Sequence, residues 1–307
     1  DYLRVKYQLP ETPPLVSIII PSKDNLDYLS KCVASILKKT TYPNYEILLV
    51  DNDSEKKEVL HYLGKIEKEE KRVHVLSYKA PFNFSAINNF ATEKAKGEVL
   101  CFLNDDTEVI SPDWLEEMVG HAIQPEIGIV GAKLFYTDDT IQHAGVVVGL
   151  GGLAGHILRY LPRESKQEFE RTHLVRNFAA VTAACIVLRK EVFEEVGSFN
   201  ETDLKVAYND VDLCLKIMEA GYRVVWTPYA ELYHHESISR GDDMDKANLP
   251  RFKAESAYFK AQWQHIINHD PFYNPNLTLS SEDCRLLVKS RYWVPYIGEP
   301  KRGLIFK

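Results

Sequence analysis

The sequence of 307 residues lacks the cysteine spacing and the long apolar runs that mark several protein classes. Its five cysteines show no CxxC pair, so neither a zinc site nor a disulfide framework is expected, and they are predicted to be reduced core residues. The longest apolar runs fall well short of the roughly 20 residues that a membrane-spanning helix needs. The N-terminal residues do not resemble a signal peptide. These absences predict a cytoplasmic protein.

An excess of positive charge is also lacking. The chain has 37 basic and 44 acidic side chains, a net charge of −7, which argues against a broad nucleic-acid-binding surface. Hydrophobic residues at 45% and charged residues at 26% are ordinary for a globular protein. The sequence starts with Asp and not Met, as expected of a piece of a longer multidomain chain.

What the first half does contain is an alternation of short apolar runs and amphipathic segments. LVSIII, YEILLV, RVHVLSY and EVLCFL are predicted strands, and LDYLSKCVASILKK carries apolar residues at helical spacing. Strands separated by helices of this length predict an α/β fold with a doubly wound sheet. Ligands of such sheets bind beyond the carboxyl ends of the strands.

Polar and acidic residues follow three of these predicted strands, in PSKDN, DNDS and NDDT. One such cluster is typical of a turn or a helix cap, but three at one edge of a sheet predict a binding site. Adjacent carboxylates suit a hard divalent cation, Mg²⁺ or Mn²⁺, that also binds substrate phosphates. PSKDN contains no glycine, so it is not a phosphate-binding loop of the Walker or dinucleotide type.

Four segments in this order carry a family resemblance: VSIIIPSKDN, ILLVDNDS, FLNDDTEVISPDWL and AYNDVDLCLKIMEAGYRVVWTP. Together, over roughly residues 15–241, they resemble the inverting nucleotide-sugar glycosyltransferases of family 2. The resemblance implies the GT-A fold, a Rossmann-like mixed sheet, and a metal-dependent transfer of a hexose or deoxyhexose from a UDP- or dTDP-sugar. The acceptor would be a glycan or a glycoprotein glycan, since DPFYNPNLT resembles the end of bacterial members that build surface polysaccharides or glycosylate proteins.

The same resemblance implies a division of the chain. Residues 1–244 would form the GT-A catalytic domain, with a nucleotide-binding half at about 15–110 and an acceptor half at about 111–244. Residues 245–307 would form a helical and aromatic C-terminal extension. Its tail after Ser281 is a candidate surface for forming a homo-oligomer or for packing on its own domain.

The nucleotide-binding residues implied by the resemblance follow the first two strands and one helix. They are Pro21, Ser22 and Asp24 after strand one, Asp51 and Asn52 after strand two, and Asn89, which would face the nucleotide. Asn52 replaces an aspartate of the family pattern. Its carbonyl oxygen can still accept a hydrogen bond from a pyrimidine N3–H.

The metal site implied by the resemblance starts at NDDT, although Asn104 occupies the first position of the DXD pattern. Asp106 would be the direct metal ligand, and Asp105 would contact the ribose or the waters on the metal. A histidine of LYHHES would complete the site. We choose His234 by its spacing to Ser239, with His235 as the alternative. Alternate residues of a strand face opposite sides, so only one of the two is expected to reach the metal.

The general base implied by the resemblance is Asp210, in YNDVDLCLKI, where Asn209 replaces the usual glutamate. An inverting displacement needs a carboxylate within hydrogen-bond reach of the acceptor hydroxyl. A helix cap is the competing interpretation of Asp210, and Asp212 is the weaker candidate for the base. His143 and His156, which flank a glycine-rich stretch, are candidates for the acceptor side.

Two other functions stay open at this point. A sugar nucleotidyltransferase also uses acidic residues and a metal, but it would need a basic, glycine-rich loop after strand one. A non-catalytic glycan-binding or assembly module on the same fold would account for Asn104 and Asn209. Hydrolysis of a nucleotide sugar in the presence of Mn²⁺ would separate the enzyme from the module.

Overall fold

The computed structural model describes residues 2–165, 171–235 and 245–291, and a large mixed sheet forms its centre. The strands are β1 Val16–Ser22, β2 Tyr45–Asp51, β3 Val73–Ser77, β4 Val99–Leu103, β5 Thr107–Val109, β6 Ile127–Phe135, β7 Ile141–His143, β8 Val146–Val148, β9 Ala154–His156, β10 Arg176–Asn177, β11 Cys185–Arg189 and β12 Arg223–His234. The helices are α1 Leu26–Lys39, α2 Lys57–Glu69, α3 Phe84–Lys94, α4 Trp114–Ala122, α5 Lys190–Glu195, α6 Asn209–Glu219 and α7 Leu249–Asn268.

The main strand order is β10-β12-β6-β11-β4-β1-β2-β3, with β5 paired to β12 and β7 paired to β6. Strands β1 to β4 are parallel to their neighbours within this group. All seven residues of β2 are buried, as expected for a parallel strand covered on both faces. Ile18 and Ile20 of β1 belong to the core on one face of the sheet and Ile19 to the core on the other. This is expected because successive side chains of a strand point to opposite faces.

The second half of the chain makes the sheet mixed. Strand β11 is antiparallel to both β4 and β6, whereas β12 is parallel to β6 and shifts register after Trp226. Beyond that shift β12 continues to His234, which pairs with Thr107 of β5. The long strand β12 therefore brings His234 beside the residues that follow β4.

Helix α7 packs on the core that also covers one face of the sheet. Phe259, Trp263 and Ile267 are buried in that core. The Trp263 indole N–H donates to Asp212 of α6 at 2.8 Å. Among the described residues, no helix has both the length and the apolar character needed to cross a membrane. The C-terminal tail from residue 292 lies outside the described residues.

Candidate active site

A cavity of about 630 Å³ opens at the carboxyl ends of β1, β2 and β4, where ligands of α/β sheets bind. Its volume is in the range of pockets for small organic ligands. Seven of the residues predicted from the sequence line it: Pro21, Ser22, Asn52, Asp105, Asp106, Asp210 and His234. Residues from five separate parts of the sequence are thus brought to one cavity.

Three predicted nucleotide-binding residues have side chains engaged elsewhere and do not line this cavity. The Asp24 carboxylate accepts hydrogen bonds from the backbone N–H groups of residues 55 and 56. The Asp51 carboxylate accepts from the Ser54 N–H. The Asn89 side chain accepts from the Phe199 N–H and donates to the Phe199 carbonyl. In this structure all three hold loops in place.

Asp105 is held by the loop after β1. Its Oδ2 accepts hydrogen bonds from Ser22 Oγ at 2.6 Å and from Asn25 Nδ2 at 3.2 Å. Burial raises the pKa of Asp105 to about 7, and the charge of Asp106 adds to this rise, although the hydrogen bond from Ser22 opposes it. The network fixes Asp105 between β1 and β4 at the floor of the cavity.

Asn52 presents a buried hydrogen-bond acceptor. Its Nδ2 donates to the carbonyl oxygens of Tyr78 at 3.2 Å and Ala80 at 2.8 Å. The opposite orientation of the amide would place its oxygen against both carbonyls, so these contacts fix which atom is which. Among the described residues, no hydrogen-bond partner contacts the buried Asn52 Oδ1. Such an atom is costly unless a ligand donates to it.

Asp106 and His234 lie together in the same cavity. His234 Nε2 is 3.2 Å from Asp106 Oδ1, which is buried and receives no hydrogen bond in the described structure. His235 is turned away, with Nε2 3.6 Å from Glu108 Oε2. The geometry therefore pairs His234, and not His235, with Asp106.

Gln142, which the sequence does not single out, orients His234. Gln142 Nε2 donates to the His234 carbonyl at 3.1 Å, and Gln142 Oε1 lies 2.6 Å from His234 Nδ1. His234 Nδ1 must therefore carry the proton, and Nε2 faces Asp106. A second partner on the far ring nitrogen is the usual arrangement of a metal-binding histidine. Within the described ranges no cluster of three or more His, Cys, Asp or Glu side chains could hold a metal ion.

Asp210 lies in the first turn of α6 with its side chain half-buried at the cavity wall. Its Oδ2 accepts from the Ala183 N–H at 3.0 Å and its Oδ1 from the Val211 N–H at 2.8 Å. Each oxygen of a carboxylate can accept a further hydrogen bond. Asp212, two residues later, is buried away from the cavity and pairs with Trp263 and Lys216.

Further residues that sequence reasoning missed line the same cavity. They include the cationic Lys23 and Arg159, and the aromatic Phe82, Phe84, Tyr136, Tyr208 and Phe252. His156, a predicted candidate for the acceptor side, lines it as well, whereas the other candidate, the fully buried His143, does not; their Nδ1 atoms are 3.1 Å apart. Lys23 and Tyr208 lie in segments quoted above but have no assigned role there, and the position of the other residues depends on contacts between distant segments.

Comparison of the sequence with known proteins matches residues 17–197 to the family model for glycosyl transferase family 2. The chain is 51% identical over 283 residues, or 92% of its length, to an uncharacterized protein of Sinorhizobium fredii. It is 44% identical over 284 residues, also 92% of its length, to the O-antigen biosynthesis protein RfbC of Myxococcus xanthus. The chain spans only 31% and 22% of the lengths of these two relatives.

Solved structures of similar fold include GalNAc-T7 with UDP, GalNAc and Mn²⁺, at a TM-score of 0.63 and 16% identity. This match covers 88% of the chain and 60% of that structure. The mannosyltransferase PcManGT from Pyrobaculum calidifontis, in complex with GDP-Man and Mn²⁺, matches at a TM-score of 0.59 and 15% identity. That match covers 84% of the chain and 67% of the other structure.

The mixed sheet with an acidic cavity at its strand ends defines a protein of the GT-A glycosyltransferase fold, as the sequence resemblance predicted. The family match covers more than half of the chain. The chain belongs to glycosyl transferase family 2.

Proposed function

We propose that this chain is a glycosyltransferase that moves a sugar from a UDP- or dTDP-sugar to a glycan, with a divalent cation and with inversion of the anomeric carbon. One observation carries the proposal. A buried acceptor on Asn52, the Asp106–His234 pair and the Asp210 carboxylate all line one cavity, and each suits a different part of such a donor and acceptor. The relative from Myxococcus xanthus, an O-antigen biosynthesis protein, supports a bacterial surface polysaccharide as the product.

The Asn52 end of the cavity suits the pyrimidine base. Uracil and thymine nucleotides present one ring N–H, at N3, and Asn52 Oδ1 is an acceptor without a partner in the described part of the chain. Adenine has no proton on N1, its ring nitrogen on the corresponding edge, so an adenine nucleotide would offer the buried oxygen no ring N–H. Ser22 and Asp105 lie next along the cavity floor, where the ribose of a bound nucleotide would follow the base.

The Asp106–His234 pair suits a divalent cation. Two adjacent ligands of an octahedral ion at the distances of Mg²⁺ are about 3 Å apart, and the two atoms that face each other here are 3.2 Å apart. With two protein ligands, the remaining positions would go to the donor diphosphate and water, as is usual for Mg²⁺ sites with few carboxylates. When bound, the cation would stabilise the negative charge on the departing diphosphate. Mn²⁺ and Mg²⁺ both fit this oxygen and imidazole set.

Asp210 suits the acceptor hydroxyl. In an inverting displacement the hydroxyl attacks the anomeric carbon from the side opposite to the diphosphate, and a carboxylate takes its proton. Asp210 lies on the cavity wall, in a different element from the residues proposed to bind the metal ion and the pyrimidine. Its two backbone hydrogen bonds fix its orientation, as expected of a residue that must meet one hydroxyl.

Asn104 and Asn209 differ from the family pattern, which made a non-catalytic module plausible. The neighbouring carboxylates of Asp106 and Asp210 are nevertheless in place. Asn104 Nδ2 lies 3.3 Å from His234 Nε2, and Asn209 Nδ2 donates to the Val206 carbonyl at 3.0 Å. Asp106 and Asp210 still line the cavity beside them. These positions favour the enzyme over the module. A nucleotidyltransferase is disfavoured because the loop after β1 has no glycine.

Changes to the nucleotide test the base end of the cavity directly. In the presence of Mn²⁺, N3-methyl-UDP should bind at least about 10-fold more weakly than UDP, because the methyl group removes the proton that Asn52 Oδ1 accepts. The 5-methyl analogue keeps N3–H and is the matched control, so it should bind within a few-fold of UDP. Isothermal titration calorimetry measures all three.

GDP and ADP extend the same titration. We expect both to bind more weakly than UDP and to protect the protein less against heat. Equal affinity for UDP and its N3-methyl form, or equal thermal protection by GDP, would contradict the proposed pyrimidine site.

A further inference from the structure

Helix α7 belongs to the segment that the sequence assigns to a C-terminal extension, yet one of its residues reaches the cavity. Phe252 lines the cavity beside Tyr208, which precedes α6. The two rings are nearly parallel, with centroids 6.0 Å apart and planes 28° apart. Phe259 stacks on Tyr208 from the core side at 5.0 Å and 21°. Tyr208 and Phe252 therefore form an aromatic surface that is half-buried and backed by the core.

The backbone that carries Tyr208 is unusual. Tyr208 has φ +60° and ψ 8°, in the left-handed region that a bulky residue rarely adopts. Such a conformation is strained and persists where surrounding contacts require it, often at ligand sites. The ring is placed toward the cavity in this strained conformation, two residues before Asp210.

A buried carboxylate of α7 holds this strained turn. Glu255 is 3% exposed, and its two oxygens accept hydrogen bonds from the backbone N–H groups of Val206 and Ala207, both at 3.0 Å. Arg251 donates to the same carboxylate at 2.6 Å. Helix α7 thus supplies one ring of the aromatic surface and also fixes the turn that carries the other.

We infer that Tyr208 and Phe252 form the subsite for the acceptor and that the acceptor is a saccharide whose ring lies against them. A pyranose has faces of C–H groups and hydroxyls at its edge. The C–H face suits the negative face of an aromatic ring. A hydroxyl at the edge of the sugar can reach a polar group beside the aromatic surface. Asp210 is that polar group. A peptide Ser or Thr would place a hydroxyl there but would present no such face to the rings.

This inference rests on the proposed function, and its test separates the two. Donor turnover is measured as release of the nucleoside diphosphate from UDP-sugars and dTDP-sugars with Mn²⁺ and no acceptor. Transfer is measured to methyl and p-nitrophenyl pyranosides and, in parallel, to Ser- and Thr-containing peptides. We expect the wild-type protein to glycosylate at least one pyranoside and no peptide.

Phe252→Leu should raise the KM for that pyranoside about 3- to 10-fold, because leucine keeps the apolar volume and loses the aromatic face. Phe252→Trp, which restores an aromatic face, should keep the KM within about twofold, and both variants should keep the wild-type affinity for UDP. Glu255→Gln, which retains one acceptor oxygen for two N–H groups, should raise the same KM. Phe272→Leu alters an exposed aromatic residue that does not line the cavity, and it should change nothing.

Two results would overturn the assignment of Tyr208 and Phe252 to the acceptor subsite while leaving the proposed donor site intact. One is donor turnover with transfer to peptides and to no pyranoside. The other is an unchanged pyranoside KM in Phe252→Leu. Failure of the wild-type protein to release the nucleoside diphosphate from any UDP-sugar or dTDP-sugar would instead refute the proposed function, and the acceptor subsite with it.

Discussion

Replacing Asp210 by Asn should lower the turnover of sugar transfer by about 10²- to 10⁴-fold, the usual effect of losing a general base. Asparagine has nearly the same shape and can still accept the hydrogen bond from the Val211 N–H. It cannot take a proton from the acceptor hydroxyl. The affinity for UDP should change less than about threefold, because the residues proposed to bind the pyrimidine and the metal ion lie on other elements. Steady-state kinetics and calorimetry on the same preparation measure both quantities.

Asp212→Asn is the matched control for this substitution. Asp212 is a carboxylate of the same helix, 3% exposed, and it accepts a hydrogen bond from Trp263 and pairs with Lys216. Its replacement should lower the melting temperature, since the Lys216 ammonium loses its charged partner, but turnover below that temperature should stay within a few-fold of wild type. Near-wild-type transfer by Asp210→Asn, or equal loss in both variants, would contradict the role of Asp210 as the base.

Replacing Asp106 by Ala should abolish the part of UDP binding that depends on Mn²⁺. Changes to residues that merely orient metal ligands cost about 10- to 100-fold in metal affinity, so loss of a ligand should cost at least about 100-fold. Asp106 lies at the edge of the sheet, outside the apolar cores, and its replacement should leave the fold intact. Titration of UDP with and without Mn²⁺, supported by circular dichroism, tests both expectations.

Glu108→Ala provides the control, because Glu108 is an acidic residue close in sequence that faces His235 and does not line the cavity. It should keep the wild-type response to Mn²⁺. Unchanged UDP affinity in Asp106→Ala, or an equal loss in Glu108→Ala, would show that Asp106 is not the ligand.

The fold could be predicted from the sequence because its signals are local. Runs such as YEILLV are too apolar for anything but a covered strand, and the whole of β2 is buried. The polar residues after β1, β2 and β4 could be placed at one edge because parallel strands share their carboxyl ends. The GT-A fold and the family are both confirmed by the comparisons.

The detail of the site depends on contacts that no local pattern encodes. Asn89 is predicted to face the nucleotide, but a helical residue can point in several directions, and its partners at Phe199 and Glu201 are more than 100 residues away. Gln142 matters only because β12 continues past its register shift to His234. Phe252 reaches the cavity, and Glu255 reaches the turn before α6, through the packing of α7, which the apolar spacing of α7 does not reveal.

The configuration of the transferred sugar tests the central claim most directly. The measurement is a proton NMR time course with Mn²⁺, an acceptor pyranoside and the α-linked UDP-sugar that gives the fastest UDP release, in which the anomeric proton of the product glycoside is followed. A single displacement assisted by Asp210 predicts a β-anomeric product in the wild-type protein and almost none in Asp210→Asn. An α-anomeric product, or the same rate of product formation in both proteins, would contradict the proposed mechanism.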